Sequence, residues 1–250
     1  MPDGAPRFVL LPELAAAGEP LEIAGAEAHY LARVVRVRVG EPVRATDGRG
    51  ALATLAIERM GGTVHARVLE YANVTPSATL ELWCGEPEGE RADWLVEKLA
   101  ELGAAALVPL RTKRGDWARA ERRLDRWRRL AAAALRQSCS AHLMQVRPPV
   151  TLADALGSAG AAVARVVCQP EGEGSPPSGF GGAGLSLAAV GPSSGFEADE
   201  VNALVVNGFR PVCLASGRLR TETAALAIAA RWAGETAAQR SSEAPRDSRA

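Results

Sequence analysis

LSLAAVGPSSGFEADEVNALVV, residues 185–206, sets the pattern for most of the chain. Its first six residues are largely apolar and uncharged, as in a strand buried on both faces. Two glycines and a proline then break the run at residues 191–196, and residues 197–206 read as a helix. The same alternation extends in both directions. Strands are expected at 80–84, 105–110, 162–168 and 212–215. Helices are expected at 93–102, where Leu95, Leu99 and Leu102 recur at helical spacing before Gly103, and at 119–137, 151–156 and 222–233. Thr151 is placed to cap its short helix, with Asp154 at the favourable end of the dipole. This alternation specifies an α/β domain, a mainly parallel sheet with helices on both faces, over residues 78–238.

Upstream the grammar differs. Residues 7–72 read as short strands, RFVLL, VVRVRVG, PVRATDG, GALATLAIE and VHARVLEY, separated by turns such as Asp47-Gly48 and Gly61-Gly62. That spacing suits a small β-barrel over residues 1–73, with residues 73–79 as a linker. Residues 169–184, rich in Gly, Pro and Ser, are expected to form a loose surface excursion. Residues 239–250, polar and containing Pro245, are expected to be a disordered tail.

The composition is that of a soluble globular protein, with 47% hydrophobic and 23% charged residues, and the longest apolar runs are far too short to span a membrane. Met1 to Pro6 lack the basic and apolar regions of a secretory signal, so a cytoplasmic location is expected. Cys84, Cys139, Cys168 and Cys213 are widely spaced and sit in or beside apolar runs, as do reduced, packed thiols; neither a metal nor a disulfide is expected.

The formal net charge is zero, but its distribution is uneven. Residues 111–136 carry ten basic side chains and three acidic ones, a surplus of seven, and Arg33, Arg36, Arg38, Arg44 and Arg49 form a second cluster. Two such patches fit a polyanion touched at two places. They fit equally a solvated helix face written in arginine, since lysine occurs only at Lys98 and Lys113.

Ligands of open parallel sheets bind beyond the carboxyl ends of the strands. Three loops qualify: Cys168-Gln169-Pro170, residues 191–196 and residues 215–221. Taken alone, residues 191–196 could be a phosphate cradle, an adenosine pocket or only a tight turn into a helix. They match neither a Walker loop nor a Gly-x-Gly-x-x-Gly fingerprint. Ser193 and Ser194 lack a nucleophile elbow, which argues against a hydrolase. Arg220, at a strand end beside a helix start, could hold an anionic base or phosphate, while Thr221 and Glu222 could serve only as a helix start.

Several segments together resemble the RsmE-type methyltransferases of the SPOUT superfamily. They are Pro6-Arg7-Phe8, Glu27-Ala28-His29-Tyr30-Leu31, Val34-Val35-Arg36, Gly40, Asp47-Gly48-Arg49-Gly50, Glu97-Lys98-Leu99-Ala100-Glu101-Leu102-Gly103, Pro109, Arg114, Gln137-Ser138, Gly191-Pro192 and Arg220-Thr221-Glu222-Thr223-Ala224. The resemblance implies a SPOUT trefoil-knotted parallel sheet domain behind a PUA-like RNA-binding barrel, a homodimer, and S-adenosylmethionine as cofactor. The implied reaction is methylation of uridine N3 in small-subunit ribosomal RNA, either free or within the assembled subunit. On the same basis Arg220 would stabilise the uracil anion. Cys168, Gly191, Pro192, Gly195, Leu214, Ala215, Leu219 and Thr221 would line the cofactor site, and Arg7, Arg33, Arg36, Lys98 and Arg114 would meet RNA. The chain departs from the family pattern at Ser193-Ser194, where Glu-Gly is usual, and at residues 215–218. A noncatalytic ribosomal RNA-binding or assembly protein is the alternative.

Overall fold

A computed structural model describes residues 7–172, 174–177 and 179–243, with side chains described through Gln239. The chain divides into two compact units. One comprises Met1–Pro76 with Ala132–Leu143, and the other Ser77–Ala131 with Met144–Ala250.

The first unit is a small curled sheet of β1 (Phe8–Leu10), β2 (Pro20–Ile23), β3 (Pro42–Thr46), β4 (Ala51–Arg59) and β5 (Val64–Asn73), ordered β1-β3-β4-β5-β2. Strict alternation puts Ala51, Ala53, Leu55 and Ile57 of β4 inward. Ala53, Leu55 and Ile57 pack with Val9, Ile23, Leu31, Val43, Val64 and Val68. Two sequence expectations change here. VVRVRVG is not a strand: helix α1 (Gly25–His29) continues as a wider π-helical turn, Tyr30–Val35, ending at Arg36 with φ +55°. The Arg36 amide donates to Leu31 O, and the Val37 amide does so at 3.0 Å, which turns Leu31 and Val37 into the core while Val34 and Val39 stay exposed. A period of two in residue type was therefore not a period of two in burial. The overlooked strand is β2, paired antiparallel to β5 from Pro20↔Arg67 to Ile23↔Val64.

Residues 132–143 join this unit through long-range bonds. Thr46 Oγ1 donates to Ala141 O at 2.9 Å, the Gly50 amide to the same oxygen at 3.1 Å, and the Leu143 amide to Gly48 O at 2.8 Å. Arg136 pairs with Glu27 at 2.8 Å and lies 5.6 Å from the Tyr30 ring centroid.

The second unit is a seven-stranded sheet in which every ladder is parallel. It comprises β6 (Ala78–Cys84), β7 (Ala106–Arg111), β8 (Gln145–Val146), β9 (Val150–Thr151), β10 (Ala164–Cys168), β11 (Gly184–Val190) and β12 (Arg210–Val212), ordered β12-β10-β11-β6-β7-β8 with β9 beside β7. The helices are α2 (Ala92–Glu101), α3 (Ala120–Ser138), α4 (Leu152–Ser158), α5 (Ala198–Val206) and α6 (Thr221–Glu243). Residues 186–190 are buried throughout, as a central strand requires, and Trp83 packs on Phe209 at 5.1 Å. Thr151 caps α4 by accepting the Asp154 amide at 3.1 Å.

Three further expectations change. Strand β12 ends at Val212, so residues 213–215 are already loop. Residues 169–184 are not wholly a surface excursion. Phe180 is fully buried, Thr236 Oγ1 donates to Gly181 O at 3.0 Å, and the Gly181 amide donates to Ser186 Oγ. Helix α6 passes Ala233 and enters the expected tail as far as Glu243, because residues 235–243 contain neither Gly nor Pro; residues 244–250 lie outside the described residues.

Burial pushes the Glu27 carboxyl above its ordinary value, and Arg136 only partly opposes this. The folded state thus holds that proton more tightly than the unfolded chain, and stability falls as pH rises from the ordinary glutamate value through the raised one. Urea unfolding of wild type and Glu27→Gln from about pH 4 to about pH 7 should show wild type losing stability relative to the variant as pH rises. A difference independent of pH would refute this.

Candidate functional site

Strands β10, β11 and β12 end side by side, with Cys168 opposite both Val190 and Val212. Beyond these ends the chain opens a cleft of about 490 Å³. All eight residues expected at a cofactor site line it: Cys168, Gly191, Pro192, Gly195, Leu214, Ala215, Leu219 and Thr221. Phe196, Val190, Gln169 and Arg218 join them.

Local bonding explains the loop at 191–196. The Gly195 amide donates to Pro192 O at 2.8 Å and Gly195 stands at φ +80°, where glycine is free of strain. A Cβ on Gly191 would lie 2.9 Å from the Phe196 nitrogen, so the turn closes only over glycine. Helix α5 then starts in a capping box: Glu197 accepts from the Glu200 backbone, and Glu200 Oε2 accepts the Glu197 amide at 2.8 Å. Buried Thr221, opening α6, donates its hydroxyl to Gly191 O at 3.0 Å and ties two loops of the cleft together.

Two arginines hold successive carbonyls of the same loop. Arg218 Nη2 donates to Ser193 O at 3.2 Å, and Arg114 donates from Nη1 to Ser194 O at 2.9 Å and from Nε to Glu197 Oε1 at 2.6 Å. Lys113 pairs with Asp199, and its amide donates to Glu200 Oε1. Burial pushes the Cys168 thiol up to about 12, so that thiol stays protonated at neutral pH. Cys84, at the end of β6, is raised further by the same cause.

The expected RNA-contacting and catalytic residues are not all drawn together. Arg220 is exposed and directly precedes Thr221, but it is not among the residues lining the cleft. Arg33 and Arg36 are exposed, with no side-chain partner among the described residues. Arg7 pairs with Glu41, Lys98 with both Glu97 and Glu101, and Arg114 with Glu197. Of the ten basic residues at 111–136, seven are ion-paired (Arg111, Lys113, Arg114, Arg123, Arg126, Arg128 and Arg136). This leaves Arg119, Arg122 and Arg129 without an ion pair among the described residues. The surplus read along the sequence is therefore largely neutralised in space.

Sequence reasoning also missed Arg91, which pairs with Glu222 at the start of α6, and the holding role of Arg218. Nothing in the spacing signals either, because each depends on partners from 25 to 131 residues away.

A parallel α/β sheet with a cleft beyond the carboxyl ends of its strands, following a small mixed sheet in the chain, is a two-unit architecture of the α/β class with a candidate ligand site. Residues 75–233 match the RNA methyltransferase domain family, and residues 23–69 match the RNA methyltransferase PUA domain. The ribosomal RNA small subunit methyltransferase E of Mycobacterium bovis is 32% identical over 212 residues, covering 80% of this chain and 81% of that protein. The Synechocystis protein of the same name is 29% identical, covering 80% of this chain and 68% of its own. Among solved structures, the Neisseria gonorrhoeae ribosomal RNA small subunit methyltransferase E, bound to S-adenosyl methionine, aligns with TM-score 0.78 at 25% identity over 90% of this chain and 95% of that chain. A putative methyltransferase of Legionella pneumophila shares the fold at TM-score 0.78 and 24% identity, over 92% of this chain and 97% of that one. The chain belongs to the RNA methyltransferase family, in its RsmE-type SPOUT branch.

Replacing Arg114 with Ala removes the Glu197 pair and the bond to Ser194 O, contacts worth about 1 kcal/mol at this half-exposed site. Backbone amides at 193–197 should exchange with deuterium up to about fivefold faster, with the amides of β4 and β5 unaffected. Unchanged exchange at 193–197 would show that the arginine does not hold the loop.

Proposed function

We propose that this enzyme uses S-adenosylmethionine to methylate N3 of a uridine in small-subunit ribosomal RNA. The observation that carries the proposal is the single cleft over β10, β11 and β12, lined by all eight residues named from the sequence. The cleft suits the cofactor: about 490 Å³ lies within the range of small-molecule sites, and its lining combines apolar residues and glycines with polar ones such as Gln169, Glu171 and Thr221. When bound, the cofactor supplies an electrophilic methyl group.

The protein's part is alignment and electrostatics. The loops after Cys168, Val190 and Val212 would hold the cofactor through backbone groups. Arg220, permanently charged, would stabilise the uracil anion left when N3 loses its proton. Arg33 and Arg36 offer free guanidinium groups to RNA phosphates, whereas Arg7, Lys98 and Arg114 would first exchange a carboxylate partner for a phosphate. A cytoplasmic homodimer and a trefoil-knotted path belong to the same proposal. Strand β12 is paired with β10, and the segment after it passes hard against the loop after β10. The Gln169 amide donates to Val212 O, the Cys213 amide to Gly174 O, and a Cβ on Gly172 would lie 2.5 Å from the Val212 carbonyl carbon. No helix among the described residues is long and apolar enough to cross a membrane.

Titration calorimetry with S-adenosylmethionine tests the reading directly. One site per chain is expected, and no heat at millimolar cofactor would leave a noncatalytic RNA-binding protein. Arg220→Ala should lower transfer into small-subunit ribosomal RNA by about 100-fold or more at an unchanged melting temperature, and full activity would remove Arg220 from the mechanism. Mass spectrometry of the product should place the methyl on uridine N3. Arg36→Glu should weaken RNA binding and leave cofactor binding intact, and equal RNA affinity would exclude that surface.

A further inference from the structure

We propose that the exposed face of α3 is a phosphate-binding ridge for the RNA substrate, built by Arg122, Arg126 and Arg129; this rests on the RNA methyltransferase reading above. The three residues recur at i, i+4 and i+7, so they stand in one row along the helix. All three are exposed, while Leu124, Trp127, Ala131 and Leu135 carry the opposite, buried face. From Arg122 to Arg129 the row covers about 10 Å, room for about three phosphates of one strand.

What singles out this row is how little neutralises it. The acidic residues of α3 are Glu121 and Asp125, and each pairs with another arginine, Glu121 with Arg111 at 3.2 Å and Asp125 with Arg128 at 3.3 Å. Arg122 and Arg129 have no ion pair among the described residues. Arg126 meets Asp93 at 2.7 Å through Nε, yet its side chain remains 62% exposed and both Nη groups face no printed carboxylate. Asp93 also accepts Trp127 Nε1 at 2.8 Å, so it anchors Arg126 in the middle of the row. Arg119 and Arg123 are not counted, because Arg119 lines a small pocket together with Glu86 and Glu90, and Arg123 pairs with Glu90 at 3.5 Å.

Helix stability does not account for the row. Arg122 lies in the first turn of α3, where the macrodipole favours acids and disfavours cations. A guanidinium is planar and permanently charged, and it matches phosphate oxygens two at a time. Such contacts set affinity and register and carry no base choice.

The row also starts beside the cleft. Gly115, shortly before α3, sits against Pro192, where a Cβ would lie 3.3 Å from Pro192 Cβ. Trp117 ties the same turn to the end of β6, its amide donating to Glu86 Oε2 at 3.1 Å and its Nε1 to Cys84 O at 3.0 Å. Glu86 O in turn accepts the Ser193 amide at 3.3 Å. Helix α3 therefore begins at the edge of the cleft, and an RNA whose target nucleotide enters the cleft can lay flanking phosphates along it.

The test uses the full chain and purified small-subunit ribosomal RNA in filter-binding assays over a range of salt, with calorimetry against S-adenosylmethionine. Each arginine removed from a phosphate should lower the slope of log affinity against log salt by about 0.7 to 0.9. Arg122→Gln combined with Arg129→Gln should therefore lower it by about 1.5 and weaken binding, with cofactor affinity and melting temperature unchanged. Arg210→Gln removes an exposed arginine from the amino end of β12 and should leave the slope as in wild type. An unchanged slope in the double variant, with wild type binding RNA and cofactor, overturns the ridge and leaves the function standing. An equal drop per arginine in Arg210→Gln also overturns it, because net charge would then explain the effect, as would wild type that binds cofactor but not RNA. Wild type that binds neither removes both proposals.

Discussion

Gly85 and Pro192 pass so closely that a Cβ on Gly85 would lie 2.2 Å from the proline nitrogen. Only glycine allows the end of β6 to run against the loop after β11, and much of the site depends on that approach. It brings the Gly85 amide to Val190 O at 2.8 Å and the Glu86 carbonyl to the Ser193 amide. The loop after β6 thereby braces Val190 and Ser193 at the edge of the 490 Å³ cleft, while its Glu86 lines a separate pocket of about 230 Å³.

Around this contact the protein uses charge to position backbone. Arg114 and Arg218 reach from two other strand ends to the carbonyls of Ser194 and Ser193, and Thr221 reaches Gly191 from the first turn of α6. Two of these bonds fall on Ser193 and Ser194. Ser194 Oγ also donates to Arg114 O at 3.4 Å, so this loop is tied on both sides. The arginine-rich stretch 111–136 follows the same logic. Most of its cations meet carboxylates on neighbouring elements, and it builds as much as it attracts.

Much of the architecture was legible in residue order. Apolar runs separated by glycine loops and helical spacing specify a parallel sheet almost uniquely, and a parallel sheet places the loops after its strands along one edge. The three loops of the cleft could be named for that reason, and the resemblance to the RsmE-type family supplied the eight residues expected within them. The π-helical turn at Tyr30–Val35, the strand at Pro20–Ile23 and the burial of Phe180 could not be read in the same way. Each is fixed by partners remote in sequence rather than by its own periodicity.

The sequence by itself determined the class of fold, the two-part organisation and the glycines that let loops close over the strand ends, because these follow from local periodicity and backbone freedom. Tertiary structure alone decided which cations are free, that residues 132–143 fold with the N-terminal unit, and that Trp117, Trp127 and Glu86 surround one cavity. Ion pairs, close backbone crossings and pockets arise between segments separated by tens of residues. Their energies depend on distance and burial in space, which linear order does not encode.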